Sequence, residues 1–143
     1  MKDEAKVRAR RSGDPNEAFD EIWCVFDVDT HERFEQARRA AQAAGIRVAI
    51  SNPCFELWLL LHFFAQSAHL SAGDARRRVL RNLPDYDKHL RYEDFAVGYG
   101  HAVKRASELE RRHAELGREG ANPSTGMHRL AERIREFGRE ARL

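Results

Sequence analysis

The stretch from Ile22 to Phe34, IWCVFDVDTHERF, constrains the fold more than any other part of the chain. Apolar residues run without alternation from Ile22 to Phe26 and lead into two aspartates, Asp27 and Asp29. Such a run reads as a short strand covered on both faces. The pattern predicts a strand over 21–28 and a helix over 30–44. Thr30 is placed to cap that helix, Phe34, Ala37, Ala41 and Ala44 share one face, and Arg33, Arg38, Arg39 and Gln42 share another. Gly45 closes the helix, and Ile46 to Ile50 forms a second strand. Strand, helix, glycine turn and strand, in that order, specify a right-handed parallel crossover. The expected fold class is therefore α/β, a small parallel sheet in β-α-β-α order followed by a helical C-terminal region.

The second helix is expected in SNPCFELWLLLHFF, with Asn52 as its cap and Pro53 at its first position. Beyond residue 65 no strand pattern is evident. Leu70 to Leu83 reads as a helix stopped by Pro84, and Asp85 to Lys88 as a loop. Residues 93–116 read as mostly helix, with Val103, Ala106, Leu109 and Leu116 on one face. Ser124 is expected to start a last helix carrying Met127, Leu130, Ile134 and Phe137. Two strands make a poor parallel sheet, so either strands escape this reading or the chain lacks an N-terminal part that its fold normally has. The chain divides into a partial α/β core over 1–66 and a helical extension over 67–143, packed as one structural domain.

The longest apolar run, Leu57 to Leu61, is far short of the roughly 20 residues of a membrane span. The charged N-terminus has no apolar run behind it, so a cytoplasmic protein without a membrane partner is expected. Cys24 and Cys54 sit in apolar surroundings and read as free thiols; no CxxC offers a structural zinc site. Residues 21–64 hold four Lys/Arg and six Asp/Glu, whereas 101–143 hold ten and seven. An acidic region followed by a basic tail is compatible with a nucleic-acid substrate, and equally with solvated helix faces.

Asp27 and Asp29 carry the chemistry. Residues i and i+2 of a strand share a face, and two carboxylates on one face repel unless a cation lies between or beside them. They stand at the carboxyl end of a strand, where open α/β sheets place their ligands. An oxygen-only pair suits a hard cation such as Mg²⁺ or Mn²⁺. The plain alternative is a helix cap at Asp29 and a surface turn residue at Asp27. Glu56 is a carboxylate among Cys54, Phe55, Leu57, Trp58 and Leu59, and such a group needs a partner, a proton or a metal. His62 lies roughly 240° round the helix from Glu56, so the two are not paired; His62 reads as a core histidine. His31 adjoins the aspartates, and Lys88 in the YDK loop reads as a solvated loop lysine or, alternatively, as a group that neutralises a phosphate. Asn122-Pro123 repeats the Asn52-Pro53 pattern, a capped helix start whose N–H groups can hold a phosphate.

Two families share the Asp-x-Asp pattern. VFDVD and VAISN resemble the first two motifs of HAD phosphatases, but His31 stands where that family has a threonine and no later acidic strand follows. The set EIWCVFDVDTH, AISNPCFELWLLLHF, LPDYDKHL and NPSTGMHRL resembles the RloB-like family in wording, spacing and order, from about Asp20 to the C-terminus. That resemblance implies a diverged Toprim fold, with Asp27 and Asp29 holding Mg²⁺ (or Mn²⁺), Glu56 as a further ligand or base and Lys88 on the phosphate. It implies a nuclease acting on DNA or RNA in bacterial anti-phage or restriction-linked defence, beside an ATPase partner; self-association is also compatible with it. The family also has an earlier strand ending in Glu-Gly; no Glu-Gly occurs among the 26 residues before Asp27. The resemblance therefore implies a chain without the family's first strands. Its absent glutamate leaves a second reading open, a non-catalytic subunit whose helices over 101–116 and 126–138 pack on a partner.

Overall fold

The computed structural model describes residues 21–29, 33–87 and 89–140. β1 (Trp23–Asp27) and β2 (Arg47–Asn52) pair in parallel, with Trp23 opposite Arg47 and Asp27 opposite Ser51. Helix α1 (Phe34–Ala43) makes the crossover. It ends as its sequence dictates. Gly45 adopts φ +72°, its N–H donates to Gln42, and the Ile46 N–H donates to Ala41 at 2.8 Å. That double bond is the left-handed helix stop that glycine permits. Thr30 and His31 lie outside the described residues; at the described start of α1, Arg33 makes no side-chain cap bond.

A third strand, β3 (Ser124–Thr125), corrects the expectation that no strand follows residue 65 and that Ser124 begins a helix. It runs antiparallel to β2, making the sheet mixed, in the order β1-β2-β3. A hydroxyl pair fixes it: the Ser51 and Thr125 oxygens are 2.8 Å apart in the interior. The last helix starts at Met127 instead.

Both Asn-Pro steps differ from the expected helix caps. Asn52 is the last residue of β2, and its side-chain amide donates to Gly120 at 3.0 Å. Asn122 clamps Leu70, accepting from its N–H at 2.9 Å and donating to its carbonyl at 2.7 Å. Each side chain is thus spent on a distant backbone rather than on the N–H groups of a following helix. Both steps are cis.

Among the described residues, four more α-helices follow, α2 (Glu56–Leu60), α3 (Ala72–Asn82), α4 (Tyr99–Glu115) and α5 (Met127–Glu140), with two single-turn 3-10 helices, Tyr92–Asp94 and Ala96–Gly98, before α4. α2 is only five residues long, because hydrogen-bonded turns replace the expected longer helix after Leu61. It is the centre of the core: Leu57, Leu59, Leu60 and Leu61 are each fully buried against Leu70, Val79, Ala102 and Ala106. Such burial is the main favourable term, each leucine contributing about 2 kcal/mol or more. Ser71 caps α3 through the Asp74 N–H, and Arg105 of α4 donates to the Leu61 carbonyl at the end of α2. The buried face of α4 is Tyr99, Ala102, Ala106, Leu109 and His113; Val103 is half-buried and Leu116 is exposed, against expectation. The stripe is shifted because two alanines, small enough for close helix approach, occupy the deepest positions. Among the described residues, no helix is long and apolar enough to cross a membrane.

Candidate functional site at the carboxyl edge of the sheet

The parallel ladder continues past β1 and ties its end to the β2–α2 connection. The Val28 N–H donates to Ser51 and the Asp29 N–H to Pro53, both at 3.0 Å. This brings the aspartates to the start of α2, where Glu56 lies. Asp27 turns toward that connection, and its Oδ1 accepts the Phe55 N–H at 3.0 Å. The strand ends at Asp27, so Asp29 lies in the turn beyond it and is exposed, whereas Asp27 is half-buried.

Burial, and then the charges of Glu56 and Asp29, push the Asp27 carboxyl above its usual range; the Phe55 N–H opposes this in part. Asp27 therefore feels two further carboxylates at one edge of the sheet. Glu56 is half-buried, and its Oε1 accepts the Tyr86 hydroxyl at 3.3 Å. Burial and the neighbouring Glu56 push both the Tyr86 hydroxyl and the Cys54 thiol up to about 12, so both stay protonated donors. Cys54 is buried and in no disulfide, as expected; Cys24 is half-buried. The carboxylate of Glu56 is thus held from the side by Tyr86 and Cys54, an arrangement more specific than the end of a five-residue helix.

A raised carboxyl pKa has a defined sign for stability. The folded chain holds the Asp27 proton to higher pH than the unfolded one, so stability falls as pH rises above about 3.9 and through the folded value. Asp27→Asn keeps the acceptor for Phe55 and removes the repulsion. It is expected to be more stable than wild type at pH 7 and no more stable at pH 3, as urea unfolding at the two pH values will read. Wild type equal to or above the variant at pH 7 would contradict the strained-carboxylate account.

Among the described residues, no three His, Cys, Asp or Glu side chains converge into a ready-made metal cage. Mg²⁺ does not require one, since it is bound by one or two carboxylates and keeps several waters. The donors present are oxygen-only, with Asp27 in the field of the other two, and fit a hard cation held in that way.

The other sequence candidates divide cleanly. Lys88 lies outside the described residues. His62 is a core histidine: it is buried, its Nδ1–H donates to Trp58 at 2.8 Å, and Trp58, Phe95 and Tyr99 surround its ring. Burial holds its pKa below the usual value, which keeps it neutral. A cleft of about 660 Å³ opens elsewhere, over Val48 and Ile50 of β2. Its arginines are already paired, Arg38 with Glu35 and Arg129 with Glu110, and it contains none of the edge carboxylates. We therefore place the site at the sheet edge. Tyr86 is not singled out by the sequence; it lies in the DYD turn, beside the Asp87-Lys88 step that the sequence does mark.

The RloB-like protein family model matches residues 2–134 of the chain. No curated protein and no solved structure matches it.

Proposed function

This chain belongs to the RloB-like protein family, and from that premise we propose that it is a Mg²⁺- or Mn²⁺-dependent nuclease of Toprim type, acting on nucleic-acid phosphodiester bonds in bacterial anti-phage or restriction-linked defence. The observation that carries the reading is the placement of the carboxylates at the carboxyl edge of a parallel sheet: Asp27 is tied to the start of α2 through the Phe55 N–H, and its carboxyl is raised first by burial and then by the charges of Glu56 and Asp29. A hard cation at this edge would offset the charge that Asp27 carries beside Glu56 and Asp29. Asp27 and Asp29 hold the ion. Glu56, oriented by the Tyr86 hydroxyl, positions a water and accepts its proton as the water oxygen attacks phosphorus; the bridging P–O bond breaks, and the leaving sugar oxygen takes a proton from solvent and departs as a hydroxyl. Lys88, next in the chain after Asp87, contacts the phosphate. A hard cation, when bound, supplies charge stabilisation on the phosphoryl oxygens and lowers the pKa of the attacking water.

The test is cleavage of labelled DNA and RNA by the purified chain. Cutting that needs Mg²⁺ or Mn²⁺ and stops with EDTA is the expected result. Cutting that survives EDTA contradicts the reading. No cutting under any condition favours the second one, an interaction subunit of an ATPase, for which the exposed Leu116 and Ile134 at 56% and 62% exposure offer contact points.

A further inference from the structure

We propose that Arg76 is a phosphate-binding residue of this site, held for that role by Asp87. The inference rests on the nucleic-acid reading above and adds a residue to it. Two neighbouring residues of one turn reach in different directions. Tyr86 donates to Glu56 Oε1 on α2, and Asp87 Oδ1 accepts from Arg76 Nη2 on α3 at 2.7 Å. The turn therefore ties the Glu56 carboxylate and the Arg76 guanidinium to the same short piece of backbone.

A guanidinium near carboxylates usually swings to pair with them. Among the described residues, no ion pair joins Arg76 to Asp27, Asp29 or Glu56; its ion pair is with Asp87. Yet it lies within reach of the field of Glu56. Asp87 engages one of its five N–H donors, and the side chain is 59% exposed, so donors remain for a ligand. A phosphodiester approaching three carboxylates enters a negative field, and a fixed positive fork beside that field offsets it. Arginine suits the task because its planar donors match two phosphate oxygens at once. An exposed Arg–Asp pair adds little to stability, so holding Arg76 in place serves binding better than folding.

The experiment is fluorescence anisotropy with labelled single-stranded DNA and RNA oligonucleotides in Ca²⁺, at several salt concentrations. Arg76→Met should weaken binding about tenfold and flatten the logarithmic salt dependence by about 0.7. Arg76→Lys should recover part of both, and Mn²⁺ binding without oligonucleotide should match wild type. Unchanged affinity and salt slope in Arg76→Met overturn the proposal. So does a parallel loss of Mn²⁺ binding, since the effect would then run through Glu56. The two readings fail separately. A wild-type chain that binds but never cuts, with Arg76→Met still weakened, removes the nuclease and keeps Arg76; a chain that cuts, with Arg76→Met binding as wild type, does the reverse. Wild type that binds no oligonucleotide overturns both.

Discussion

Replacing Asp27 and Asp29 together by alanine should lower metal-dependent cleavage by about 10²–10³-fold or more while leaving a folded protein. The size follows from what the pair is assigned to do. Removing a single preorganised group that stabilises transition-state charge costs about that much, and losing the ion removes a larger charge than any one donor. The fold survives because the contributions to stability nearly cancel. Asp27→Ala gives up the acceptor for the Phe55 N–H, worth about 1 kcal/mol, but it also removes a carboxylate raised by burial, Glu56 and Asp29. Asp29 is exposed and its loss touches no buried contact. Circular dichroism and urea unfolding of the double variant check the fold, and cleavage kinetics check the chemistry. Cleavage at the wild-type rate by a folded double variant would remove the aspartates from the mechanism.

The second large effect concerns the scaffold. Gly98→Ala should destabilise the protein by more than about 3 kcal/mol, beyond the usual range for an overpacked core. A Cβ at Gly98 would lie 1.9 Å from the His62 carbonyl oxygen and 2.7 Å from its carbon. These are backbone atoms, so no side-chain rotation relieves the clash. Gly98 is the residue that precedes α4, and its close approach lets Tyr99 and Phe95 pack edge-on around His62 and Trp58. The added methyl must push α4 off α2 and open that cluster. Gly100 is the control two residues on. It lies inside α4, and a Cβ added there would meet nothing within 4 Å. Gly100→Ala should therefore stabilise by about 0.5–1 kcal/mol through helix propensity alone. Denaturant midpoints separate the two, and a Gly98→Ala midpoint equal to that of wild type would contradict the packing described for α2 and α4.

What could be read from sequence is what depends on near neighbours. β1, α1, Gly45 and β2 follow from apolar periodicity and a glycine stop, each signal lying within a few residues of the element it sets. The Asp27–Glu56 association follows from the parallel crossover, which places a strand end beside the next helix start. The features that escaped depend on partners far along the chain. Asn52 followed by Pro53 has the local form of a helix cap, but its amide is taken by Gly120, 68 residues away. β3 is two polar residues with no alternation to detect; its strand character comes from Ser51, 74 residues earlier. Tyr86 reaches Glu56 across 30 residues, and no spacing rule links a turn tyrosine to a helix carboxylate. The buried stripe of α4 departs from expectation for another reason. Ala102 and Ala106 are fully buried because they let helices approach closely, while the larger Leu116 beyond the helix end is exposed.

If the edge carboxylates hold a hard divalent cation, as proposed, Mn²⁺ binding followed by electron paramagnetic resonance of the free ion reads it most directly. Saturable binding to the wild-type chain, lost in Asp27→Ala/Asp29→Ala and weakened in Glu56→Gln, is the predicted result. No binding by wild type, or binding that the double variant retains, would contradict it.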